Sequence, residues 1–250
     1  MLEIINHGKV REIRLSRAPA NALNAELVKQ LTKALKEAGK QAGAVVVSGL
    51  PGMFSAGLDV PQLLQYDRPE MIRFWKKFIK LIKTIAYMPV PTAFAMTGHA
   101  PAGGIVMAIF GDYRIMPPGN FKTGLNEVQV GLIVPPPVHK AVARAVGPLV
   151  AEHILVSGEI MDAQKAKEIG LVDELAADPE STVTRAIEWC EQHLSLPQQA
   201  MAATRKMTRA DLHSFFDEKK GLGVKKFINI WFSESTHATL TALVERLSKK

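Results

Sequence analysis

Apolar and polar positions alternate over residues 2–6 and 10–16, around a turn at His7 and Gly8, and this rhythm predicts a half-buried hairpin. A loop containing Pro19 spans residues 17–23. Leu27, Leu31, Leu35 and Ala38 then recur at the helical period, predicting a helix over residues 25–38 that Gly39 ends. The short Val-rich run at residues 44–48 reads as a buried strand. A second helical stripe, Phe74, Phe78, Leu81, Ile82 and Ile85, predicts a helix over residues 69–87, stopped by Pro89 and Pro91 before a strand at residues 92–97. The apolar residues 101–110 suit a buried helix, and residues 112–116 a strand. Strands that alternate with helices define an α/β core.

Beyond Pro135 the strand signal nearly vanishes, and helices are expected over residues 141–146, 149–156, 163–169, 180–194, 198–207 and 233–247. Loop chemistry at residues 195–197 separates an expected core, residues 1–195, from a C-terminal helical region, residues 196–250. That region could pack on its own core or on another subunit. Its apolar cluster, Phe227, Ile228, Ile230, Trp231 and Phe232, suits either arrangement equally.

Composition narrows the class. The chain has 250 residues, 47% hydrophobic and 22% charged, which is ordinary for a globular protein with a sizeable core. No apolar run approaches the roughly 18 to 20 residues of a membrane span, and residues 1–15 read as strand rather than a targeting segment. A reducing, cytoplasmic location with no membrane partner is therefore expected. Cys190 is the single cysteine, so an internal disulfide is excluded and a packing role is expected. The formal charge of +7 would suit an anionic partner. Lys76, Lys77, Lys80 and Lys83 recur at helical spacing, while Lys219, Lys220, Lys225, Lys226, Lys249 and Lys250 crowd the C-terminal end. In the sequence these cations look dispersed, and most read as solvated helix faces. A phosphate-bearing small molecule would account for the rest as well as RNA would, and nucleic acid is disfavoured because no aromatic residues are interleaved.

Three segments carry candidate chemistry. Two glycine-bearing turns each follow a strand: Pro51-Gly52-Met53-Phe54-Ser55-Ala56-Gly57-Leu58-Asp59 and Gly98-His99-Ala100-Pro101-Ala102-Gly103-Gly104. Small residues let a ligand approach the main chain, and amides at such turns are free donors aimed outward. Donors from Leu58 and Gly103 could together stabilise a developing oxyanion, by about 3 to 4 kcal/mol each. Close helix–sheet packing would place glycines there too. The third segment is Thr123-Gly124-Leu125-Asn126-Glu127-Val128-Gln129-Val130-Gly131-Leu132-Ile133. Glu127 is a lone carboxylate among apolar residues, where desolvation would raise its proton affinity toward that of a general base. A helix-start carboxylate beside Asn126 is the competing reading. Phosphate-loop and dinucleotide fingerprints are absent, the seven histidines are scattered without metal-ligand spacing, and Ser55 lacks a nucleophile-elbow context.

Taken together, Phe54-Ser55-Ala56-Gly57-Leu58-Asp59, then Ala100-Pro101-Ala102-Gly103-Gly104 running to Asp112-Tyr113-Arg114-Ile115, then Gly124-Leu125-Asn126-Glu127 with Gly131, resemble the crotonase, or enoyl-CoA hydratase/isomerase, superfamily. The likeness covers nearly the whole chain and is greatest to the mitochondrial-type Δ3,Δ2-enoyl-CoA isomerase branch. The resemblance implies a core of repeated ββα units, a C-terminal helical trimerisation region, and a homotrimer or hexamer. It implies an acyl-CoA substrate and no cofactor or metal, coenzyme A being part of the substrate. Glu127, Leu58 and Gly103 are the catalytic residues that it implies, with Arg17, Ala18, Ala20, Ser55, Ala56, Gly57, Asp59, Gly104 and Asn126 at the substrate.

One position separates the branches. Hydratases of this superfamily carry a further glutamate three residues after the second oxyanion glycine, and this chain has Val106 there. Valine can neither hold a water nor move a proton. A 1,3 proton shift through a dienolate needs a single acid–base, so the resemblance implies isomerisation. Weak hydration, thioester hydrolysis and RNA binding are the alternative activities on the same scaffold.

Overall fold

The computed structural model describes residues 1–217 and 222–248, apart from the side chains of residues 247 and 248. Lys219, Lys220, Lys249 and Lys250 lie outside the described residues. The hairpin forms where the alternation places it: β1 (Leu2–His7) pairs antiparallel with β2 (Val10–Leu15). α1 (Ala25–Gln41) starts at Asn24, whose side chain accepts the Leu27 N–H and satisfies a free first-turn amide. The helix continues past Gly39, contrary to the sequence expectation. Gly39 serves close packing instead, because a Cβ there would sit 3.0 Å from the Pro89 ring.

β3 (Ala44–Ser48) is buried along its whole length. Val45 and Val47 enter the main core with α1, whereas Ala44 and Val46 enter a smaller cluster with Ala186 and Cys190. A strand covered on both faces has no need of a polar side, which explains the unbroken valine run. Cys190 is the packing residue expected of it, and burial pushes its thiol up to about 12.

The chain then repeats one move. β3 leads to β4 (Gly52–Met53), followed by α2 (Val60–Leu63) and α3 (Arg68–Ala86). β5 (Thr92–Ala95) leads to β6 (Gly98–Pro101) and α4 (Gly103–Ala108), and β7 (Tyr113–Met116) leads to β8 (Lys122–Gly124) and a 3-10 turn at Glu127–Val130. After these come α5 (Pro136–Val146), α6 (Pro148–Ser157), β9 (Ile160–Asp162), α7 (Ala163–Glu168), β10 (Glu174–Leu175) and α8 (Pro179–Leu194). One sheet has the order β1-β2-β3-β5-β7-β10, parallel from β2 onward; the other has β4-β6-β8-β9. The α/β class and the ββα repeat are as expected.

Several boundaries are corrected. The short strands β4, β6, β8, β9 and β10 were not foreseen, since two to four residues cannot display a period. Consequently the helix expected over 101–110 shrinks to α4, its start taken by β6. Gly98 shows what these strands need: a Cβ there would fall 2.0 Å from the Gly52 carbonyl carbon, so the two backbones touch. α5 begins at Pro136 rather than at 141, because proline fits a first helical turn whose amides have no partner anyway.

A turn does follow α8 at residues 195–197, before α9 (Gln198–Thr208), α10 (Ala210–Ser214), α11 (Val224–Trp231) and α12 (Glu234–Ser248). Sequence periodicity missed α11. The segment packs on its own core: Arg205 and Arg209 grip opposite oxygens of Asp112, each at 2.7 Å. Phe227, Ile228 and Trp231 are buried in the main core, so of the two arrangements open to that cluster the structure has burial on its own chain. Among the described residues no helix is long and apolar enough to cross a membrane.

Candidate active site

Two loops form the floor of the site, and Asn21 ties them together. Its backbone has φ +48°, a region asparagine tolerates better than most residues. Its Nδ2 donates to the Leu15 and Phe54 carbonyls at 3.1 and 3.0 Å, and its Oδ1 accepts the Arg17 N–H at 2.7 Å. In return the Ser55 hydroxyl donates to the Asn21 carbonyl at 2.9 Å and accepts the Gly57 N–H at 3.2 Å. The loop at 17–23 and the turn at 51–59 are thus one rigid body. Sequence reasoning missed Asn21; the available signal was an asparagine closing the Pro19-Ala20 turn.

Arg17 and Asp59 lock the same body from outside. Their side chains meet at 2.7 Å, and the Asp59 carboxylate also accepts the Gln62 N–H that opens α2. Neither side chain is free in this arrangement. Gly104 lies against the loop as well, where a Cβ would come 2.8 Å from the Ser55 carbonyl oxygen.

Gly57 and Gly103 make the two turns touch. A Cβ on Gly57 would lie 2.9 Å from the Gly103 nitrogen, and one on Gly103 would lie 3.1 Å from the Gly57 Cα. Ala102, at φ +46° and ψ −120°, holds a backbone conformation rare for a residue with a side chain. Its own N–H donates to the Gly124 carbonyl at 2.8 Å, which links this turn to β8 and so to Glu127 beyond it. Among the described residues, neither the Leu58 nor the Gly103 N–H donates a hydrogen bond.

These turns open on a cavity of about 110 Å³. Ala56, Leu58, Gly103, Val106, Asn126 and Glu127 all line it. Arg17, Ala18, Ala20, Ser55, Gly57, Asp59 and Gly104 do not; they stand behind the lining or, as with Ala18, on the exposed loop. The far wall was invisible to motif reading. It is aromatic, with Trp75 and Phe78 from α3 and Phe227 and Trp231 from α11. Trp75 stacks on Phe227 with ring centroids 3.5 Å apart.

Among the described residues Glu127 is the one charged residue in that lining. Its Oε2 is sealed from solvent and has no hydrogen-bond partner among the described residues. Desolvation therefore pushes its carboxyl up to about 7, only partly opposed by its own backbone N–H. The 3-10 turn that carries it is stopped by Gly131 at φ +77°, whose carbonyl accepts the Thr236 hydroxyl from α12 at 2.9 Å. The arrangement offers one proton-exchanging carboxyl, a pair of adjacent free amides and, Asn126 apart, apolar side-chain walls. Among the described residues no group of three or more His, Cys, Asp or Glu side chains is placed to hold a metal ion.

A fold of ββα repeats closed around a carboxyl and two bare amides defines a crotonase-type protein, and the comparison with known sequences agrees. A family model described as enoyl-CoA hydratase/isomerase matches residues 6–250, and the chain belongs to that family. The crystal structure of human mitochondrial delta3-delta2-enoyl-CoA isomerase matches it with a TM-score of 0.93 at 26% identity, covering 99% of this chain and 98% of that one. In sequence, "Enoyl-CoA delta isomerase 1, mitochondrial" of Homo sapiens is 26% identical over 245 residues, 96% of this chain and 81% of that protein. "Probable enoyl-CoA hydratase EchA17" of Mycobacterium tuberculosis is 32% identical over 193 residues, 76% of this chain and 73% of that protein. Relatives thus carry both hydratase and isomerase names.

Proposed function

We propose that the protein is a Δ3,Δ2-enoyl-CoA isomerase in which Glu127 alone carries the proton. The unprotonated carboxyl takes a proton from C2 of a 3-enoyl thioester, and the electrons move into a dienolate. Its oxygen is held by the Leu58 and Gly103 N–H groups. The same carboxyl returns the proton at C4, which leaves the double bond between C2 and C3. No cofactor is needed beyond the coenzyme A of the substrate.

The observation that carries this reading is the solitary Glu127 in a cavity where Val106 occupies the position of a second carboxylate. A group pushed up to about 7 exchanges protons readily in both directions near neutral pH. Apolar walls around it keep water from the dienolate.

Turnover of 3-hexenoyl-CoA with the double bond located in the product tests the proposal. Conversion to 2-hexenoyl-CoA is expected, with little 3-hydroxyacyl-CoA and no free thiol. A 3-hydroxyacyl-CoA as the main product would instead support the hydratase reading that some relatives' names suggest. We assign the assembly as a homotrimer or hexamer with residues 196–250 as its helical region. Leu149 and Val156 on α6 and Met207 on α9 remain 64%, 73% and 70% exposed, as side chains awaiting a subunit partner would be. Sedimentation velocity tests this: a monomer would refute it.

A further inference from the structure

Lysines that look scattered in the sequence converge in the fold. α1 contributes Lys29, Lys33, Lys36 and Lys40; α3 contributes Lys76, Lys77, Lys80 and Lys83; α11 contributes Lys225 and Lys226. They line adjoining grooves, α1 against α3 and α3 against α11, with Lys80 and Lys83 shared between them. The α3–α11 groove alone encloses about 1140 Å³. Two carboxylates answer them, Glu26 at 3.8 Å from Lys29 and Glu37 at 3.8 Å from Lys33, both exposed pairs worth little. None of the other eight lysines has an ion-pair partner among the described residues. Ten lysines against two glutamates exceed the formal excess of the entire chain, +7, so its positive charge belongs to this one face.

We propose that the α1–α3–α11 face docks the protein peripherally on an anionic lipid bilayer. The charge is spread over helices of 17 and 19 residues, which span about 25 to 28 Å at 1.5 Å per residue. A broad array of flexible point charges matches a diffuse anionic plane, and each lysine held within a Debye length of such a leaflet strengthens binding about five-fold. The α3–α11 groove has an apolar floor beneath its ammonium rim, with Ile79, Val224 and Ile230 in it, which suits the boundary between headgroups and acyl chains.

Nucleic acid fits less well. Among the described residues no arginine lines these grooves, so the bidentate fork that grips individual phosphates is missing from them. Tyr87 is, among the described residues, the one aromatic side chain along them, and the Lys83 ammonium already sits 5.5 Å over its ring. Single-strand binding relies on stacking platforms that this face lacks. The sequence reading expected no membrane partner, and no helix among the described residues can cross a membrane; the convergence of α1, α3 and α11 argues for peripheral contact alone.

Co-sedimentation of the purified full chain with vesicles tests the proposal. Binding is expected to vesicles containing about a third phosphatidylserine, not to phosphatidylcholine alone, and to weaken at least ten-fold between about 0.05 and 0.3 M salt. The combined variant Lys36→Gln, Lys77→Gln, Lys80→Gln, Lys226→Gln should lower affinity at least a hundred-fold. These side chains are exposed and outside the cavity lining, so its melting temperature and its turnover of a short enoyl-CoA should match the parent. Vesicle binding that ignores phosphatidylserine, or that survives the four substitutions, overturns the proposal. So does an equal or tighter salt-sensitive affinity for single-stranded oligouridylate.

Discussion

Two glutamates whose carboxyls are withdrawn from water behave in opposite ways. Glu12, on β2, is sealed completely, yet Ser48, His7 and Arg14 reach its carboxylate at 2.6, 2.9 and 3.0 Å. Desolvation would raise its pKa, but those hydrogen bonds and the Arg14 charge outweigh burial and hold it below the usual carboxylate range. Glu127 is also desolvated, but its Oε2 has no such partner among the described residues, and its carboxyl rises to about 7. Burial therefore does not decide what a carboxyl can do; the donors around it do. Glu12 is fixed as an anion and serves the sheet, whereas Glu127 is free to exchange its proton.

The sharpest way to break this contrast is Glu127→Gln. With the proposed acid–base removed, kcat on 3-hexenoyl-CoA should fall about a thousand-fold or more, while the circular dichroism spectrum stays unchanged. Near-normal turnover would end the assignment. The same carboxyl predicts the pH profile of the parent enzyme, with kcat/KM rising with pH through about 7 as Glu127 loses its proton.

Stability should separate the pair next. For Glu127 the folded pKa lies above the unfolded value of 4.5, so its contribution is fully present below pH 4.5 and is lost as pH rises through about 7. Over that window the parent should lose up to about 3 kcal/mol relative to Glu127→Gln, at 1.36 kcal/mol per pH unit. Glu12 has the opposite sign: its contribution is present above pH 4.5 and is lost as pH falls through its depressed pKa. Denaturant melts of parent and variants across pH 4 to 9 check both slopes, and parallel curves would refute the contrast.

Glu12→Gln should cost about 2 to 3 kcal/mol at neutral pH by leaving the buried Ser48 hydroxyl and the cations poorly matched. Activity per folded molecule should be retained, because Glu12 is remote from the cavity lining. A smaller effect is expected at the aromatic wall. The cavity of about 110 Å³ is well below the usual range for ligand pockets, and the Trp75–Phe227 stack forms part of its far side. Trp75→Leu should raise the preference for 3-decenoyl-CoA over 3-hexenoyl-CoA roughly 3- to 10-fold. An unchanged ratio would show that the acyl chain leaves by another route.

Much of the fold was legible because its larger elements carry local signals. The stripes of α1 and α3 and the valine run of β3 are one-face and two-face burial written directly into residue order. The two glycine turns and Glu127 were legible for a related reason: tight turns and a lone carboxyl in apolar sequence are local features. The Asp112 grip on Arg205 and Arg209 was not, since ion pairs across nearly a hundred residues leave no periodic trace. Neither was α11, whose packing neighbour in the cavity wall, α3, lies far earlier in the chain.

By itself, then, the order of residues determined which side chains could do chemistry and which of the longer segments would be helix or strand, because turn geometry and burial period act over a few positions. Tertiary structure alone decided that Glu127 would lack a partner while Glu12 would have three, and that bare amides from separate turns would stand side by side. It also decided that lysines from three distant helices would share one face. The physical reason is range: desolvation, donor placement and summed charge depend on distances through space, and only the packed chain sets those distances.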